Sequence, residues 1–208
     1  ETYTYEPGVR KLKEIIYEII GEVNLELLHN TIENIPIIIT KELLVTKYLK
    51  DRVEVTFTKI HNEPSVGLIN GLWANSLGKG GIIQIETLYY LSQYPLTLKL
   101  TGSLGDVMKE SSDVAKDLAW KLTDDNIKKT FTDSSKNLHK GIRIHFPEGA
   151  TPKNGPSAGT AITVAIYSLL NSKKIKNNLA ITGEINLQGK VTAIGGLDIK
   201  ILGGIKAG

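Results

Sequence analysis

The chain has 208 residues, 41% of them hydrophobic, which is enough for one large domain or for a medium-sized domain with a small attachment. Its formal net charge of +3 is too small to indicate nucleic-acid binding, and its Lys and Glu residues alternate as they do on solvated faces. The absence of cysteine excludes disulfides, thiolate nucleophiles and sulfur-ligated metals, and no apolar run approaches the ~20 residues of a membrane span.

Residues 1 to about 50 predict a small helical unit. Pro7-Gly8 precede a stretch of apolar residues at helical spacing, with the charged residues of 10–14 on the other side. The apolar positions are Val9, Leu12, Ile15, Ile16, Ile19 and Ile20. This face therefore requires a partner on which to dock.

Three shorter elements follow in the same unit. A second helical piece is predicted around Glu22–Asn30. Ile35–Ile39 predicts a brief strand. Thr40 then predicts the cap of a helix over Lys41–Lys50.

A charged segment that contains Pro64 separates this unit from the rest of the chain. Residues 51–65 have the composition of a linker, and we place the boundary near His61. The predicted domains are therefore residues 1–60 and 61–208.

From Val66 onward the pattern changes to strands. Val66–Asn70 and Gly81–Thr87 flank Leu77–Gly81, whose glycines suit a turn with positive φ, so a β-hairpin is predicted. Leu96–Thr101 alternates between apolar and polar residues and predicts a half-buried strand.

A loop, a helix and a strand are predicted next. Gly102–Gly105 is the loop, Asp106–Leu122 the helix, and Ile142–Phe146 the strand. The predicted apolar side of the helix consists of Val107, Val114, Leu118 and Leu122.

The end of the chain predicts two short strands and a last helix. Leu179–Thr182 and Val191–Ile194 are the strands, joined by a turn that contains Gly189. Gly195-Gly196 opens the helix, which carries Lys200. The mixture of helices and strands predicts an α/β fold with α+β character, without a strict βαβ repeat.

Ser157 stands between helix-breaking residues and a long apolar run. Pro152, Gly155 and Pro156 prevent regular structure before it, whereas Ala158–Leu170 favours a helix. At a helix N-terminus, unpaired N–H groups and the helix dipole can stabilise an oxyanion formed when the serine attacks. Serine is also among the commonest N-caps, and this feature alone favours capping.

Gly155–Gly159 matches the G-x-S-x-G pattern, which is typical of α/β-hydrolases. That family needs a histidine after the serine, but all four histidines precede it: His29, His61, His139 and His145. The chymotrypsin order also fails for the nearest one, since no aspartate lies between His145 and Ser157. His145 is instead predicted as a strand residue, packed or hydrogen-bonded near the serine loop.

With histidine disfavoured, lysine is the remaining candidate for the base. A lysine accepts a proton only when neutral, so burial must lower its pKa well below the usual range. Lys200 is the best candidate because it lies between Ile199 and Ile201. It also follows Gly195-Gly196, whose lack of side chains permits close approach of another backbone. Its neighbour Asp198 points to a different side of the helix, but most lysines are exposed, so position alone favours an exposed Lys200.

Three segments closely resemble the Lon proteases, a family of ATP-dependent serine peptidases. Phe146–Gly159 resembles the serine motif of that family and Thr182–Lys200 its lysine motif. Thr101–Ser111 resembles a further segment, so the resemblance covers about residues 66–208. It implies a Lon-type proteolytic domain.

The resemblance also implies residue roles. Ser157 matches the nucleophile and Lys200 the general base of a Ser–Lys dyad that hydrolyses peptide bonds. Thr182 matches a threonine that hydrogen-bonds the lysine. Further supporting residues are expected at Gly155, Ala158 and Asp106, the last as an acidic residue near the site.

The segment Tyr5–Arg10 resembles part of the small subdomain of the AAA+ ATPase that precedes the protease in Lon. Arg10 matches the arginine that senses bound nucleotide, with an exposed helix residue as the structural alternative. No G-x-x-x-x-G-K-[ST] motif occurs. We therefore expect no cofactor in this chain, and ATP and Mg²⁺ in an upstream motor of the full-length protein.

The chain departs from the family pattern in places. Asn154 stands where many members have aspartate, so a carboxylate that shields an idle site is not carried over. Asp198-Ile199 replaces the more usual Lys-Glu. The chain stops at Gly208, and we expect a missing tail that completes the fold and helps to bury the lysine.

The resemblance implies unfolded or damaged polypeptides as substrates and a homo-oligomer, as a hexameric ring. A cytoplasmic location is expected, with the mitochondrial matrix as the alternative, and neither membrane nor nucleic-acid binding is indicated. Two other functions stay open: an inactive assembly module with the same fold, and an esterase that acts through the G-x-S-x-G serine.

Overall fold

A computed structural model describes four stretches of the chain, namely residues 3–4, 8–29, 35–132 and 138–208. The chain divides into two units, Glu1–Thr56 and Phe57–Gly208. Secondary structure differs between the two units, since every strand among the described residues lies in the second unit.

The first unit begins with one long helix, α1, over Arg10–Leu28. The predicted break near residue 22 is wrong, because Gly21 alone costs a helix only about 1 kcal/mol and no proline interrupts the segment. Pro7 and Asn30, which flanked the two predicted helical pieces, lie outside the described residues.

Helix α1 buries only part of its predicted apolar face. Residues one turn apart are buried, namely Ile15, Ile19 and Val23. The other predicted positions are between 46% and 71% exposed: Val9, Leu12, Ile16 and Ile20. The buried stripe packs against Tyr48 and Leu49, and a unit this small covers only a narrow side of the helix.

The predicted strand at Ile35–Ile39 is wrong, because the segment is irregular and pairs with no strand of the described residues. Apolar β-branched residues favour a strand only where a neighbouring strand is available. The predicted cap at Thr40 is confirmed, since its Oγ1 accepts a hydrogen bond from the Leu43 N–H at 3.2 Å. Helix α2, Lys41–Leu43, continues as a π-helical turn over Leu44–Tyr48.

The second unit is built on a five-stranded mixed sheet with the strand order β3-β4-β2-β1-β5. Its strands are β1 Leu68–Ala74, β2 Gly80–Ser92, β3 Leu98–Thr101, β4 His139–His145 and β5 Ala180–Ile181. Strand β2 pairs antiparallel with β1 and β4, whereas β1–β5 and β3–β4 are parallel pairs. The predicted hairpin is confirmed as β1–β2.

Helices cover this sheet and a small two-stranded sheet adjoins it. The remaining elements are α3 Asp106–Leu122, α4 Asp125–Phe131, a 3-10 turn Pro156–Ala158, α5 Gly159–Asn171, β6 Glu184–Ile185, β7 Val191–Thr192 and α6 Leu197–Ala207. Helix α3 has the predicted bounds, whereas α4 was not predicted. The mixed sheet and its helices confirm the α/β fold class.

The buried side of α3 differs from the prediction. Val107 and Leu122 are 44% and 58% exposed. The buried residues of this helix are Met108, Ser111, Ser112, Ala115, Leu118 and Ala119. Small side chains let α3 lie close to α5, and a search for large apolar residues overlooks such a face.

The two strands predicted near the end of the chain do not pair with each other. Strand β5 joins the large sheet beside β1, and β7 pairs with the unpredicted β6. Gly189, with φ +85°, lies in the turn between β6 and β7. A two-residue strand leaves too little alternation for a sequence pattern to identify.

Helix α6 contacts the β1–β2 hairpin through glycine, although not through the predicted pair. A Cβ at Gly195 would meet nothing within 4 Å, and Gly196 is required by its φ of +66°. The close approach lies at Gly203, where a Cβ would be 2.2 Å from the Gly80 carbonyl carbon. A Cβ on Gly80 would in turn be 2.3 Å from the Ile199 carbonyl oxygen. These two glycines therefore set the distance between α6 and the sheet.

Gly203→Ala is expected to lower the free energy of unfolding of the second unit by about 1–3 kcal/mol, because its methyl group meets backbone that cannot turn aside. The matched control is Gly204→Ala, which gains the same helix propensity but meets only the flexible end of Leu72, at 3.0 Å. Urea unfolding followed by tryptophan fluorescence measures both, since Trp73 and Trp120 lie in this unit. Equal stabilities of the two variants would contradict the prediction.

Candidate active site

Ser157 lies in the 3-10 turn that leads into α5. Pro156 starts the turn with its fixed φ, and Gly155 precedes it with φ +123°, which glycine adopts easily. The capping interpretation of Ser157 is wrong, because the helix begins after Ala158 and receives no side-chain capping bond. The serine hydroxyl is thus available for another contact.

That contact is with the amine of Lys200, whose Nζ lies 2.9 Å from Ser157 Oγ. Lys200 occupies the first turn of α6 and is 6% exposed, contrary to the exposed position that most lysines adopt. Its Nζ also lies 3.3 Å from Thr182 Oγ1. The structure therefore brings together Ser157, Lys200 and Thr182 from three separate parts of the chain.

Burial lowers the pKa of the Lys200 amine below its usual value of 10.5. Burial is the cause because removal from water disfavours the charged form, and no acidic side chain raises the pKa again. Asp198 is exposed, in agreement with the expected separation of the two side chains on the helix. A neutral amine carries a lone pair that can accept the Ser157 proton.

The backbone around Ser157 is held by segment 182–183. The Ser157 carbonyl oxygen accepts hydrogen bonds from the Gly183 N–H at 2.7 Å and from Thr182 Oγ1 at 3.2 Å. Thr160 fixes the same segment from α5, since its N–H and its Oγ1 both donate to the Gly183 carbonyl, at 3.0 and 2.9 Å. Thr160 was not singled out in the sequence, where it reads as an ordinary helix residue.

Pro156 has no N–H, so Ser157 supplies the first N–H group of the turn and Ala158 the second. They are the donors nearest to the oxyanion that forms on a scissile carbonyl oxygen when Ser157 Oγ attacks its carbon. The N–H of Gly155 is engaged elsewhere, because it donates to the Asn154 Oδ1 at 3.1 Å.

Lys153 anchors the loop that precedes Ser157 and was missed in the sequence. Its ammonium group donates to the carbonyl oxygens of Glu148 at 2.6 Å, Thr151 at 3.0 Å and Gly102 at 3.3 Å. Burial lowers the pKa of Lys153, and the Glu148 charge opposes that shift. Nothing in the local sequence distinguishes this lysine from a solvated one.

Of the other predicted site residues, Gly155 and Ala158 flank Ser157 in the turn, whereas Asp106 has an ion pair of its own. The Asp106 side chain is 97% exposed and pairs with Lys109 at 2.8 Å, which lowers the pKa of the Asp106 carboxyl group. His145 ends β4, with its Nδ1 2.8 Å from Thr101 Oγ1, as the packed or hydrogen-bonded alternative predicted.

Arg10 belongs to the first unit. Its guanidinium group is 82% exposed and pairs with Glu14 at 3.2 Å. Tyr5, at the start of the segment that resembles a nucleotide-sensing element, lies outside the described residues.

Carboxylate and imidazole side chains that converge on one point are needed to hold a metal ion. Within the described ranges, no three His, Asp or Glu side chains are placed to hold a metal ion. None of the described helices is both long and apolar enough to cross a bilayer.

Comparison with known proteins gives a consistent result. The family described as "Lon protease (S16) C-terminal proteolytic domain" matches residues 38–208. A Lon protease of Campylobacter jejuni is 40% identical over 211 residues, which cover 99% of this chain and 26% of the relative. A Lon protease of Clostridium acetobutylicum is 38% identical over 208 residues, or 100% of this chain and 25% of the relative.

A more distant source gives a similar match. A Lon protease homolog of Acanthamoeba polyphaga mimivirus is 43% identical over 166 residues, which cover 77% of this chain and 16% of that protein. The chain thus spans about a quarter of the length of its bacterial relatives, 26% and 25% in the two named above.

Lys200→Met is expected to raise the free energy of unfolding at neutral pH, because it removes an amine whose charged form is disfavoured by burial. The folded pKa lies below the unfolded value, so the unfolded chain binds more protons between the two. Wild-type stability therefore rises with pH across that window, and the advantage of the variant shrinks until about pH 10.5.

Urea unfolding from neutral pH to pH 11 measures this difference. Lys206→Met, an exposed lysine of the same helix, serves as the control for removal of one positive charge. A Lys200→Met advantage that stays constant with pH would mean that Lys200 is not desolvated.

Proposed function

The chain belongs to the Lon protease family, and from that premise we propose that its second unit hydrolyses peptide bonds through a Ser157–Lys200 dyad. The observation that carries this proposal is the 2.9 Å contact between Ser157 Oγ and the Nζ of a lysine that is 6% exposed. A hydroxyl beside a buried amine free of carboxylates is the arrangement that nucleophilic catalysis by a Ser–Lys pair requires.

The first half of the reaction forms an acyl-enzyme. Neutral Lys200 takes the proton of Ser157 as Oγ attacks the scissile carbonyl carbon, and the carbonyl oxygen becomes an oxyanion. The N–H groups of Ser157 and Ala158 donate to that oxyanion. The C–N bond then breaks, and the protonated Lys200 gives its proton to the leaving amine, so the amine of Lys200 is neutral again.

The second half releases the other product. Water enters where the amine left, Lys200 takes its proton, and the resulting tetrahedral intermediate collapses. The proton returns from Lys200 to Ser157 Oγ as the carboxylic acid leaves. Thr182 accepts a hydrogen bond from the amine, which keeps the lone pair of Lys200 directed at Ser157.

The setting of this activity follows from the family. We propose that unfolded or damaged polypeptides are the substrates, that the chain works in a homo-oligomer, as a hexameric ring, and that the location is cytoplasmic. Residues 1–60 are proposed as the end of an ATPase small subdomain, with Arg10 as its nucleotide sensor. ATP and Mg²⁺ would drive a motor that feeds chains to the site.

Two other functions compete with this proposal. An inactive assembly module would keep the fold without the chemistry, and a serine-reactive boronate would then fail to bind. An esterase of the α/β-hydrolase kind would retain full activity in Lys200→Gln. The buried position of Lys200 favours the dyad over both. Burying an amine lowers the stability of the folded chain, and neither alternative function requires it.

Cleavage of a short unfolded peptide is expected to rise with pH through one ionisation that lies below the ordinary lysine value of 10.5, because only neutral Lys200 accepts the proton. Ser157→Ala and Lys200→Ala should each lose about 10³-fold or more in kcat. Steady-state kinetics from pH 6 to 11 measures all three proteins. A profile that is flat with pH, or full activity in either variant, would refute the dyad.

Thr182→Val is expected to lower kcat by about 3- to 10-fold, since it removes one hydrogen bond to the amine and one to the Ser157 carbonyl. Thr182→Ser keeps the hydroxyl and should retain most of the wild-type rate. The same peptide assay compares the two variants. A Thr182→Val variant as fast as wild type would contradict the role of the hydroxyl, and a Thr182→Ser variant as slow as Thr182→Val would show that the hydroxyl alone does not suffice.

A further inference from the structure

Ser111 uses its hydroxyl differently from Ser112 in the same helix and from Thr163 in α5. Ser112 Oγ donates to Met108 O at 2.7 Å and Thr163 Oγ1 to Gly159 O at 2.8 Å, each four residues back in its own helix. Such back-bonding is the usual behaviour of serine and threonine inside helices. Ser111, which is 8% exposed, instead donates out of α3 to the Pro156 carbonyl oxygen at 3.3 Å.

The acceptor of this bond belongs to the peptide group that enters Ser157. The Pro156 C=O and the Ser157 N–H are the two ends of one planar unit. That oxygen also accepts the Gly159 N–H within the turn, and the Ser111 hydroxyl, as a second donor from α3, restricts the plane further and with it the direction of the Ser157 N–H. It also polarises the unit and makes the N–H a stronger donor.

The next peptide group is held in the same way. Its oxygen, on Ser157, accepts from the Gly183 N–H and from Thr182 Oγ1, and its other end is the Ala158 N–H. Both N–H groups assigned to the oxyanion are thus fixed from their carbonyl ends, one of them from α3.

Gly159 leaves the space that the Ser111 hydroxyl occupies. A Cβ at Gly159 would lie 2.8 Å from Ser111 Oγ and 3.3 Å from Ile185 Cγ2. The backbone there is right-handed helix, with φ −54° and ψ −44°, which any residue adopts. Space, and not backbone conformation, is therefore the reason for glycine at this position.

We propose that Ser111 is a positioning residue for peptide hydrolysis, which holds the Pro156–Ser157 peptide so that the Ser157 N–H points at the oxyanion. This inference rests on the proposed function of the Ser157–Lys200 pair. It adds a residue on α3 whose hydroxyl acts through the backbone and touches no substrate atom.

The test compares Ser111→Ala with Ser112→Ala in the full 208-residue chain. Ser112 is the matched control because it is an adjacent, fully buried serine whose hydrogen bond stays within α3. Ser111→Ala should lower kcat for peptide cleavage by about 3- to 10-fold with KM unchanged. The apparent pKa of its pH–rate profile should match wild type, because Lys200 is not affected.

A peptide boronate provides a second readout. Its tetrahedral adduct with serine uses the oxyanion donors, so Ser111→Ala should weaken its inhibition by about the same factor as kcat. Gly159→Ala leaves Ser111 in place but displaces its hydroxyl, and it should show the same loss in kcat. This second variant keeps the test decisive if Ser111→Ala folds poorly.

Each outcome decides the matter. Equal kcat in Ser111→Ala and Ser112→Ala, a loss confined to KM, or wild-type kcat in Gly159→Ala would overturn the inference while the proposed function stands. If the wild-type chain itself cleaves no peptide and binds no boronate, the proposed function fails and the inference fails with it.

Discussion

An amine kept out of water beside a serine hydroxyl is the constraint on which the rest of this structure depends. Lys200 is 6% exposed, and among the described residues no carboxylate stabilises its positive charge, so burial lowers its pKa. Such a position is unfavourable for folding unless something holds the lysine there. The holding element is α6, which lies against the β1–β2 hairpin at the distance that Gly80 and Gly203 permit. The contact between Lys200 and Ser157 is thus a consequence of how closely a helix approaches a sheet.

Ser157 is also held in place, mostly by hydrogen bonds to backbone carbonyl groups. The Ser157 carbonyl accepts bonds from segment 182–183, and the Pro156 carbonyl accepts one from Ser111. The Lys153 ammonium group donates to the carbonyl oxygens of Glu148 and Thr151, in the loop before the turn, and to that of Gly102. Because the carbonyl oxygens of the turn are hydrogen-bonded to neighbouring segments, the N–H groups at the opposite ends of the same peptides can face a substrate. The site therefore combines a proton that moves between Ser157 and Lys200 with N–H dipoles that are held in place. Dipoles held in place are the condition for electrostatic stabilisation of an oxyanion.

Sequence reasoning located the elements better than it located their contacts. The bounds of α3 and the β1–β2 hairpin were predicted because helical and alternating periodicities are local properties. The burial of Lys200 could not be read from position, since its partners come from distant parts of the chain. The glycine argument chose Gly195-Gly196, whereas the close approach lies at Gly203, because a glycine does not reveal which neighbour it admits. Ser111 was missed for the same reason: its hydrogen bond joins residues 45 positions apart.

The most direct test of the account is the ionisation of Lys200 itself. Titration of the lysine side-chain amines by NMR, with the Lys200 signal assigned through Lys200→Met, measures that pKa without any assay of activity. Lys200 is expected to lose its proton below the ordinary value of 10.5, because burial disfavours its charged form. A Lys200 amine that stays protonated to pH 10.5 or beyond would contradict it, because such a group cannot take the proton of Ser157.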